Sequence, residues 1–203
     1  MAASPSPRIV LACVTWRNGE LAVLTPAASR GVTLPEAPLG GASLPDDAAD
    51  ALVKRILGRA AAWRSQVGAL RDETSLAILY VAVVPADTEA PTRHEWRGLP
   101  RGTSSGLLRA ALAQLRARID RDPIAFRLLG ERFTLSDLQQ VYELLLERRL
   151  HKASFRRSLL AAHLVEPTEQ WRSEGRGRPA QLFRFAPRRR RGLQRAVRFD
   201  LLG

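Results

Sequence analysis

The chain has 203 residues, of which 45% are hydrophobic, and this length suits two small folded domains better than one. No apolar run is long enough for a transmembrane helix, and the N-terminal residues lack the basic and apolar regions of a secretory signal. The single cysteine, Cys13, excludes an intrachain disulfide framework and a cysteine-based metal site. These features predict a cytoplasmic protein in which Cys13 is buried as a small hydrophobic side chain.

The net charge of +12 is concentrated in the C-terminal part of the chain. Residues 1–122 hold 15 basic and 12 acidic side chains, whereas residues 123–203 hold 17 and 8. Because an excess of Lys and Arg attracts negatively charged polymers, this asymmetry predicts that the C-terminal part binds a polyanion. The basic tail, residues 188–203, either adds contacts to a DNA backbone or is a solvated end.

The first 121 residues mix strand and helix patterns. Strands are predicted at RIVLACVTW and ELAVLTP, joined by the hairpin signal Asn18-Gly19. A helix is predicted from Ser43 to Gly58, with Ser43 and Asp46 at capping-box spacing. The run SLAILYVAVVP predicts a central strand, residues 86–103 a loop, and SGLLRAALAQLRARI a second helix. Residues 1–121 are therefore predicted to form one domain of mixed α and β structure.

A second domain is predicted at residues 122–187, starting at the pair Asp122-Pro123. FTLSDLQQVYELLLERRL predicts a helix with Thr134 as N-cap and Asp137 three residues later. KASFRRSLLAAHL predicts a second helix, and two short strands, LVEPTEQW and RPAQLFRF, flank a loop of Gly and Arg residues. Helix, turn, helix and β-hairpin, in this order, are typical of a winged helix-turn-helix domain.

The stretch around the first helix resembles the Nudix box, a loop–helix–loop whose glutamates hold Mg²⁺ against a diphosphate in Nudix hydrolases. In that alignment Asp47 takes the first Glu position and Arg55 the Arg position. Ile56, Arg59 and Ala60 take the remaining Glu positions, and the segments YVAVVP and HEWRGLP resemble later parts of the family pattern. Hard Mg²⁺ needs carboxylate oxygens, so the resemblance implies a Nudix-like fold that has lost hydrolysis. An unrelated α+β domain is the alternative.

The C-terminal half resembles the Nudix-related transcriptional regulators of NAD metabolism. Their winged helix carries the pattern F-T-L-x-x-L-Q-x-x-Y-E, then F-R-R-x-L, then G-R-P-A-x-x-[YF]-R-F. This chain matches the pattern at Phe133–Glu143, Phe155–Leu159 and Gly177–Phe185. The resemblance implies an α+β protein in which an N-terminal Nudix-like α/β/α sandwich precedes a C-terminal winged helix-turn-helix. It also implies a homodimeric repressor that responds to ADP-ribose or a related nucleotide and has no resident cofactor.

Candidate site residues follow from these patterns. The second helix of the winged domain would enter the major groove, where Arg forks onto guanine, and the tip of the wing would meet phosphates or the minor groove. The predicted DNA-binding residues are Lys152, Ser154, Arg156, Arg157, Arg176 and Arg178. The predicted effector-binding residues are Arg55, Arg59 and Asp47. Trp63 and Trp96 either stack on an adenine or belong to the core, and the three histidines are expected at surface or capping positions rather than on a metal.

Two alternative functions remain from the sequence. The first is a divergent Nudix hydrolase of nucleoside diphosphate derivatives that uses unusual carboxylates such as Asp46, Asp47 and Asp50. The second is a constitutive DNA-binding or adaptor protein that responds to no effector and whose first domain serves only for dimerisation. For the winged domain taken by itself, a solvated basic face on a protein-binding domain is the alternative.

Overall fold

The structure is a computed structural model that describes residues 6–40, 44–71, 75–99, 105–173 and 179–186. The chain divides into two compact units between Leu115 and Arg116, called here the N-terminal and the C-terminal unit. The sequence placed this division after residue 121. Within the described ranges, no helix is both long and apolar enough to cross a membrane.

A mixed β-sheet forms the N-terminal unit. Its strands are β1 (Arg8–Arg17), β2 (Glu20–Pro26), β3 (Glu36–Pro38), β4 (Trp63–Arg71), β5 (Leu76–Val83) and β6 (His94–Gly98). The strand order is β4-β5-β1-β2-β6, with β3 paired to β1. The pair β1 and β5 is parallel, and the other pairs of this sheet are antiparallel. Asn18 and Gly19 both have positive φ, at 50° and 80°, as the predicted tight hairpin between β1 and β2 requires.

Helix α1 (Pro45–Leu57) covers one face of this sheet. Its buried side chains, Ala49, Leu52 and Val53, join a core with alternate residues of β1 and β5. Cys13 lies in that core and is fully buried, as predicted, and burial raises the pKa of its thiol to about 12. Both faces of β1 and β5 are buried, which explains why their sequences are continuously apolar rather than alternating.

Helix α1 begins within two residues of the predicted start, but the capping box predicted there was wrong. The N-cap is Leu44, which offers no side-chain hydrogen bond, and Ser43 lies outside the described residues. Pro45 occupies the first turn, where its fixed φ and missing N–H are tolerated, and Asp46 binds partners on the sheet instead of closing a capping box. Strand β4 was missed because its sequence WRSQVGALR is polar and irregular, and β6 falls within the predicted loop 86–103.

The C-terminal unit follows the predicted order of helices and strands. Helix α2 (Gly106–Arg118) runs across the division, and the later elements are α3 (Ile124–Leu129), α4 (Leu135–Leu146), α5 (Lys152–Ala161), β7 (Val165–Arg172) and β8 (Ala180–Phe185). Strands β7 and β8 form an antiparallel hairpin. Phe185 stacks on Phe126 of α3 with ring centroids 4.3 Å apart, and Phe183 forms a β-bridge with Phe133. These aromatic contacts fix the base of the hairpin to the helices.

Helix α4 begins with the predicted capping box. Thr134 Oγ1 accepts a hydrogen bond from the Asp137 N–H at 3.0 Å, and Asp137 Oδ2 accepts one from the Thr134 N–H at 2.9 Å. Because these two bonds satisfy backbone donors that the helix itself leaves unpaired, the cap fixes where α4 starts.

Candidate nucleic-acid interface and nucleotide site

The turn between α4 and α5 is held by two side chains of α4. Glu143 Oε1 accepts from the Leu150 N–H at 2.9 Å, and Gln139 Nε2 donates to the Leu150 carbonyl at 3.0 Å. Gln139 also donates to Glu143 Oε1, and Arg149 donates to Glu143 Oε2. Both backbone polar groups of Leu150 are thus tied to α4. This arrangement fixes the residue immediately before the N-cap of α5, and sequence reasoning missed it because neither residue carries a turn signal.

The pKa of Glu143 reflects this arrangement. Burial raises the pKa of its carboxyl, but the hydrogen bonds from the Leu150 N–H, Gln139 and Arg149 outweigh burial and hold it below the ordinary value. Glu143 is therefore a carboxylate near neutral pH, which is the state that accepts these hydrogen bonds.

Helix α5 is capped by His151, whose Nδ1 accepts from the Ser154 N–H at 3.4 Å. The histidine therefore lies at a capping position, one of the two kinds of place expected from the sequence. Phe155 and Leu159 are buried, and the Phe155 ring lies 5.6 Å from the ring of Tyr142 on α4. The buried face of α5 is thereby seated on α4.

The opposite face of α5 is cationic. Lys152, Ser154 and Arg157 are exposed, and Arg156 is half-buried. No acidic side chain pairs with Lys152, Arg156 or Arg157 within the described ranges. The Nε atom of Arg156 is buried without a hydrogen-bond partner among these residues. The structure therefore brings the four predicted residues onto one short helix and leaves the three charges available to an anion.

The hairpin that follows α5 is fastened to the start of α4. Arg172 Nη2 donates to both carboxylate oxygens of Asp137 at 2.8 Å, and Arg132 Nη1 donates to Gln170 Oε1 at 2.9 Å. Asp137 thus serves the capping box and the hairpin together. The predicted residues Arg176 and Arg178 lie outside the described residues.

In the N-terminal unit, no hydrogen bond or ion pair joins the predicted effector residues to one another within the described ranges. Asp47, Arg55 and Arg59 are all exposed on α1 or just beyond its end, and Ile56 packs against the core. Arg59 lies 3.9 Å from Asp87, in the segment that follows β5. Effector binding by these three residues therefore stays a prediction.

Arg64 of β4 neutralises two acidic residues of α1. Its Nε donates to Asp50 Oδ1 at 2.7 Å, and its Nη1 lies 3.1 Å from Asp46 Oδ1. The hydroxyl of Tyr80 donates to the same Asp46 oxygen at 2.6 Å. The hydrogen bond from Tyr80, and to a smaller extent the one from Arg64, lowers the pKa of Asp46. Burial raises the pKa of Tyr80. No sequence signal pointed to this cluster, because Arg64 lies in the strand that was missed.

These residues do not fit the Mg²⁺ that a Nudix box implies. The box positions hold Ile56, Arg59 and Ala60, none of which supplies a carboxylate oxygen. The carboxylates of Asp46 and Asp50 form ion pairs with Arg64, so Asp47 is the one exposed acid of these three that Arg64 does not pair with. In the described part of the chain, no group of three or more His, Cys, Asp or Glu side chains could hold a metal ion.

The C-terminal unit is similar to a known DNA-binding domain. Residues 125–185 match the profile of the NrtR DNA-binding winged helix domain. A curated relative from Acinetobacter baylyi, the ADPR responsive transcriptional repressor NtrR, is 40% identical over 80 residues. That alignment covers 39% of this chain and 32% of the relative.

Solved structures resemble this chain over both units. NrtR of Shewanella oneidensis, in complex with a 27mer DNA, has a TM-score of 0.73 at 20% identity, covering 89% of this chain and 93% of that one. A MutT/nudix family protein from Enterococcus faecalis has a TM-score of 0.65 at 12% identity, covering 92% and 90%. The fold class predicted from the sequence, a Nudix-like domain followed by a winged helix, is confirmed, and so is the resemblance to the NrtR regulators.

Proposed function

We propose that this chain is a DNA-binding transcriptional repressor whose N-terminal unit responds to ADP-ribose or a related nucleotide. The observation that carries the proposal is the cationic face of α5, which no acid neutralises within the described ranges, in a domain that matches the NrtR winged helix profile. The response to ADP-ribose is supported by the name of the Acinetobacter relative, whose alignment covers part of each chain.

On the DNA side, α5 is the recognition helix. Arg156 and Arg157 contact base edges in the major groove, where a guanidinium forks onto guanine O6 and N7. Lys152 and Ser154, in the first turn, contact a phosphate or a base edge. Glu143 and Gln139 are positioning residues, because they hold the backbone immediately before the N-cap of α5. Arg176 and Arg178 belong to the proposed wing and add phosphate or minor-groove contacts.

The proposed assembly is a homodimer on a palindromic operator, with half-sites one helical turn apart. ADP-ribose acts by binding one state of the protein more tightly than the other and so shifting the spacing of the recognition helices. Among the predicted effector-binding residues, Arg59 lies just beyond α1 and pairs with Asp87, so it is the main candidate for contact with the nucleotide. Arg55 and Asp47, which lie on α1, are further candidates. Cytoplasmic location remains a prediction from the sequence.

We further propose that the protein is not a hydrolase. The rival hydrolase requires Asp46, Asp47 and Asp50 to act together, and Arg64 pairs with the first and the third. Turnover would also destroy the ligand to which a repressor responds. Release of AMP and ribose 5-phosphate from ADP-ribose in the presence of Mg²⁺, at a rate that Asp50→Asn abolishes, would contradict this part of the proposal.

The experiment is selection of bound DNA from a random pool, with and without ADP-ribose. The expected result is a palindromic motif that is lost when ADP-ribose is present. A motif unaffected by ADP-ribose would retain the DNA-binding function and reject the effector. The absence of any motif would reject the repressor function and favour the adaptor alternative.

A further inference from the structure

The end of β1 carries a cationic group that the Nudix pattern does not include. Strands β1 and β5 run parallel, so the carboxyl end of β1 lies beside the segment that follows β5. Arg17, the last residue of β1, donates through Nη2 to the carbonyl of Thr88, and Trp96 Nε1 donates to the same oxygen at 2.9 Å. The guanidinium carbon of Arg17 lies 5.8 Å from the centroid of the Trp96 ring. These contacts hold the arginine in one place.

Two polar atoms at this point are buried without hydrogen-bond partners. Among the residues that the structure describes, these atoms are Arg17 Nε and Thr88 Oγ1. Thr88 is 4% exposed. Buried polar groups are nearly always satisfied, and each one left unpaired is costly. Both atoms can donate a hydrogen bond, and their residues are in direct contact, so an anionic group is the kind of partner that each atom lacks.

A second arginine, just beyond the C-terminus of α1, reaches the same segment. Arg59 lies 3.9 Å from Asp87, the neighbour of Thr88, and its side chain is 48% exposed. The guanidinium groups of Arg17 and Arg59 therefore flank two consecutive residues. Asp87 is 77% exposed and is the one acid that pairs with either arginine within the described ranges. Such an exposed pair at 3.9 Å is weak, so an anion can replace it.

We propose that Arg17, Arg59 and Thr88 bind the diphosphate of the nucleotide effector directly, without a divalent metal ion. The inference rests on the proposed function for the class of ligand, and it specifies how that ligand is held. In a Nudix hydrolase the metal neutralises the diphosphate, whereas here two guanidinium groups supply the positive charge and the Thr88 hydroxyl supplies a further donor. Arg59 occupies a position where the Nudix box has a glutamate. In the proposed site its positive charge contacts the diphosphate directly, which a negatively charged metal ligand could not do.

The test is calorimetric titration of the full chain with ADP-ribose, first in a chelating buffer and then with Mg²⁺. We expect the same dissociation constant in both. Arg17→Gln should weaken binding about tenfold to a hundredfold, because it removes charge-assisted hydrogen bonds. Arg59→Gln should act in the same direction. The control is Arg71→Gln, which removes one exposed charge from the opposite end of the sheet and should leave binding unchanged.

Thr88→Val separates a binding role from a structural one. If Thr88 Oγ1 serves only the ligand, the isosteric variant should fold with an unchanged or higher Tm, because an unpaired buried hydroxyl has been removed. ADP-ribose binding should nevertheless weaken, by about threefold to tenfold. A lower Tm with unchanged affinity would show that the hydroxyl is structural, and would overturn its assignment to the ligand.

The remaining outcomes distinguish this inference from the proposed function. Binding that requires Mg²⁺, or that Arg17→Gln and Arg59→Gln leave unchanged, would overturn the inference while the repressor function stands. If ADP-ribose fails to bind under either condition, the proposed effector is rejected, and inorganic pyrophosphate in chelating buffer becomes the probe. A rise in Tm with pyrophosphate that Arg17→Gln abolishes would support the anion site, and no rise would reject it.

Discussion

The two units use their acidic side chains in different ways. In the C-terminal unit, Asp137 and Glu143 accept hydrogen bonds from backbone N–H groups and hold the helix-turn-helix in shape. In the N-terminal unit, Asp46 and Asp50 face the guanidinium of Arg64. The acids of the C-terminal unit therefore fix the backbone around α4 and α5, whereas these acids of the N-terminal unit are paired with a cation. The same residue types cap backbone groups in one unit and form an ion-pair cluster in the other.

The largest expected effect concerns the cations of α5. The double variant Arg156→Gln/Arg157→Gln should weaken operator binding by about a hundredfold or more, since each forked contact contributes roughly 1–3 kcal/mol. Fluorescence anisotropy with the selected operator measures the loss. The matched control, Arg55→Gln/Arg71→Gln, removes two exposed charges from the N-terminal unit. An equal loss in the control would mean that overall charge, and not this helix face, binds DNA.

The next effect tests Glu143 as an anchor of the turn. Glu143→Gln keeps an acceptor but removes the charge, and it should lower the free energy of unfolding by about 1–2 kcal/mol at neutral pH. Because the folded pKa of Glu143 lies below its ordinary value, its contribution is present above the unfolded pKa and is lost as the pH falls through the folded pKa. The difference between wild type and variant should therefore shrink below about pH 4. Urea denaturation at several pH values measures it.

A constant difference at all pH values would contradict the role of the Glu143 charge. Operator affinity supplies a second readout, because a positioning residue should change the affinity even where the protein remains folded. Glu147→Gln is the control, since Glu147 is exposed and pairs with Arg116 rather than with the turn.

Arg64 should have a smaller effect, confined to the N-terminal unit. Arg64→Gln should destabilise this unit by about 1 kcal/mol, because its partners Asp46 and Asp50 are themselves well exposed and solvent screens the pair. Operator affinity in the absence of nucleotide should not change. Thermal unfolding and fluorescence anisotropy on the same sample check both expectations. If the variant is fully folded but binds the operator more weakly, the effect of Arg64 is not confined to the N-terminal unit.

The smallest effects compare the two helix starts. Thr134→Ala removes the capping box of α4 and should cost about 1 kcal/mol. Leu44→Asp supplies the cap that α1 lacks, at a residue that is 68% exposed and already extended, and should stabilise the N-terminal unit by about 0.5 kcal/mol. Denaturant titration compares the two changes, and a destabilised Leu44→Asp variant would show that Leu44 packs rather than merely precedes the helix.

Much of the C-terminal unit could be predicted from sequence because its signals are local. The Thr134 cap, the apolar faces of α4 and α5 and the wing strands each depend on residues a few positions apart. Less of the N-terminal unit could be predicted. Strand β4 is half-buried at a sheet edge and shows no clear alternation, so Arg64 and its acids could not be paired. The contact of Arg17 with Thr88 joins positions 71 residues apart, which no spacing rule connects.

A release experiment tests whether ADP-ribose controls DNA binding by this protein. The full chain is bound to its selected operator, and ADP-ribose is added in a chelating buffer while fluorescence anisotropy reports bound DNA. We expect the operator to be released, and we expect Arg17→Gln to shift the release to higher ADP-ribose concentrations without changing operator affinity in the absence of ADP-ribose. An operator that remains bound at saturating ADP-ribose would contradict the proposed response to this nucleotide.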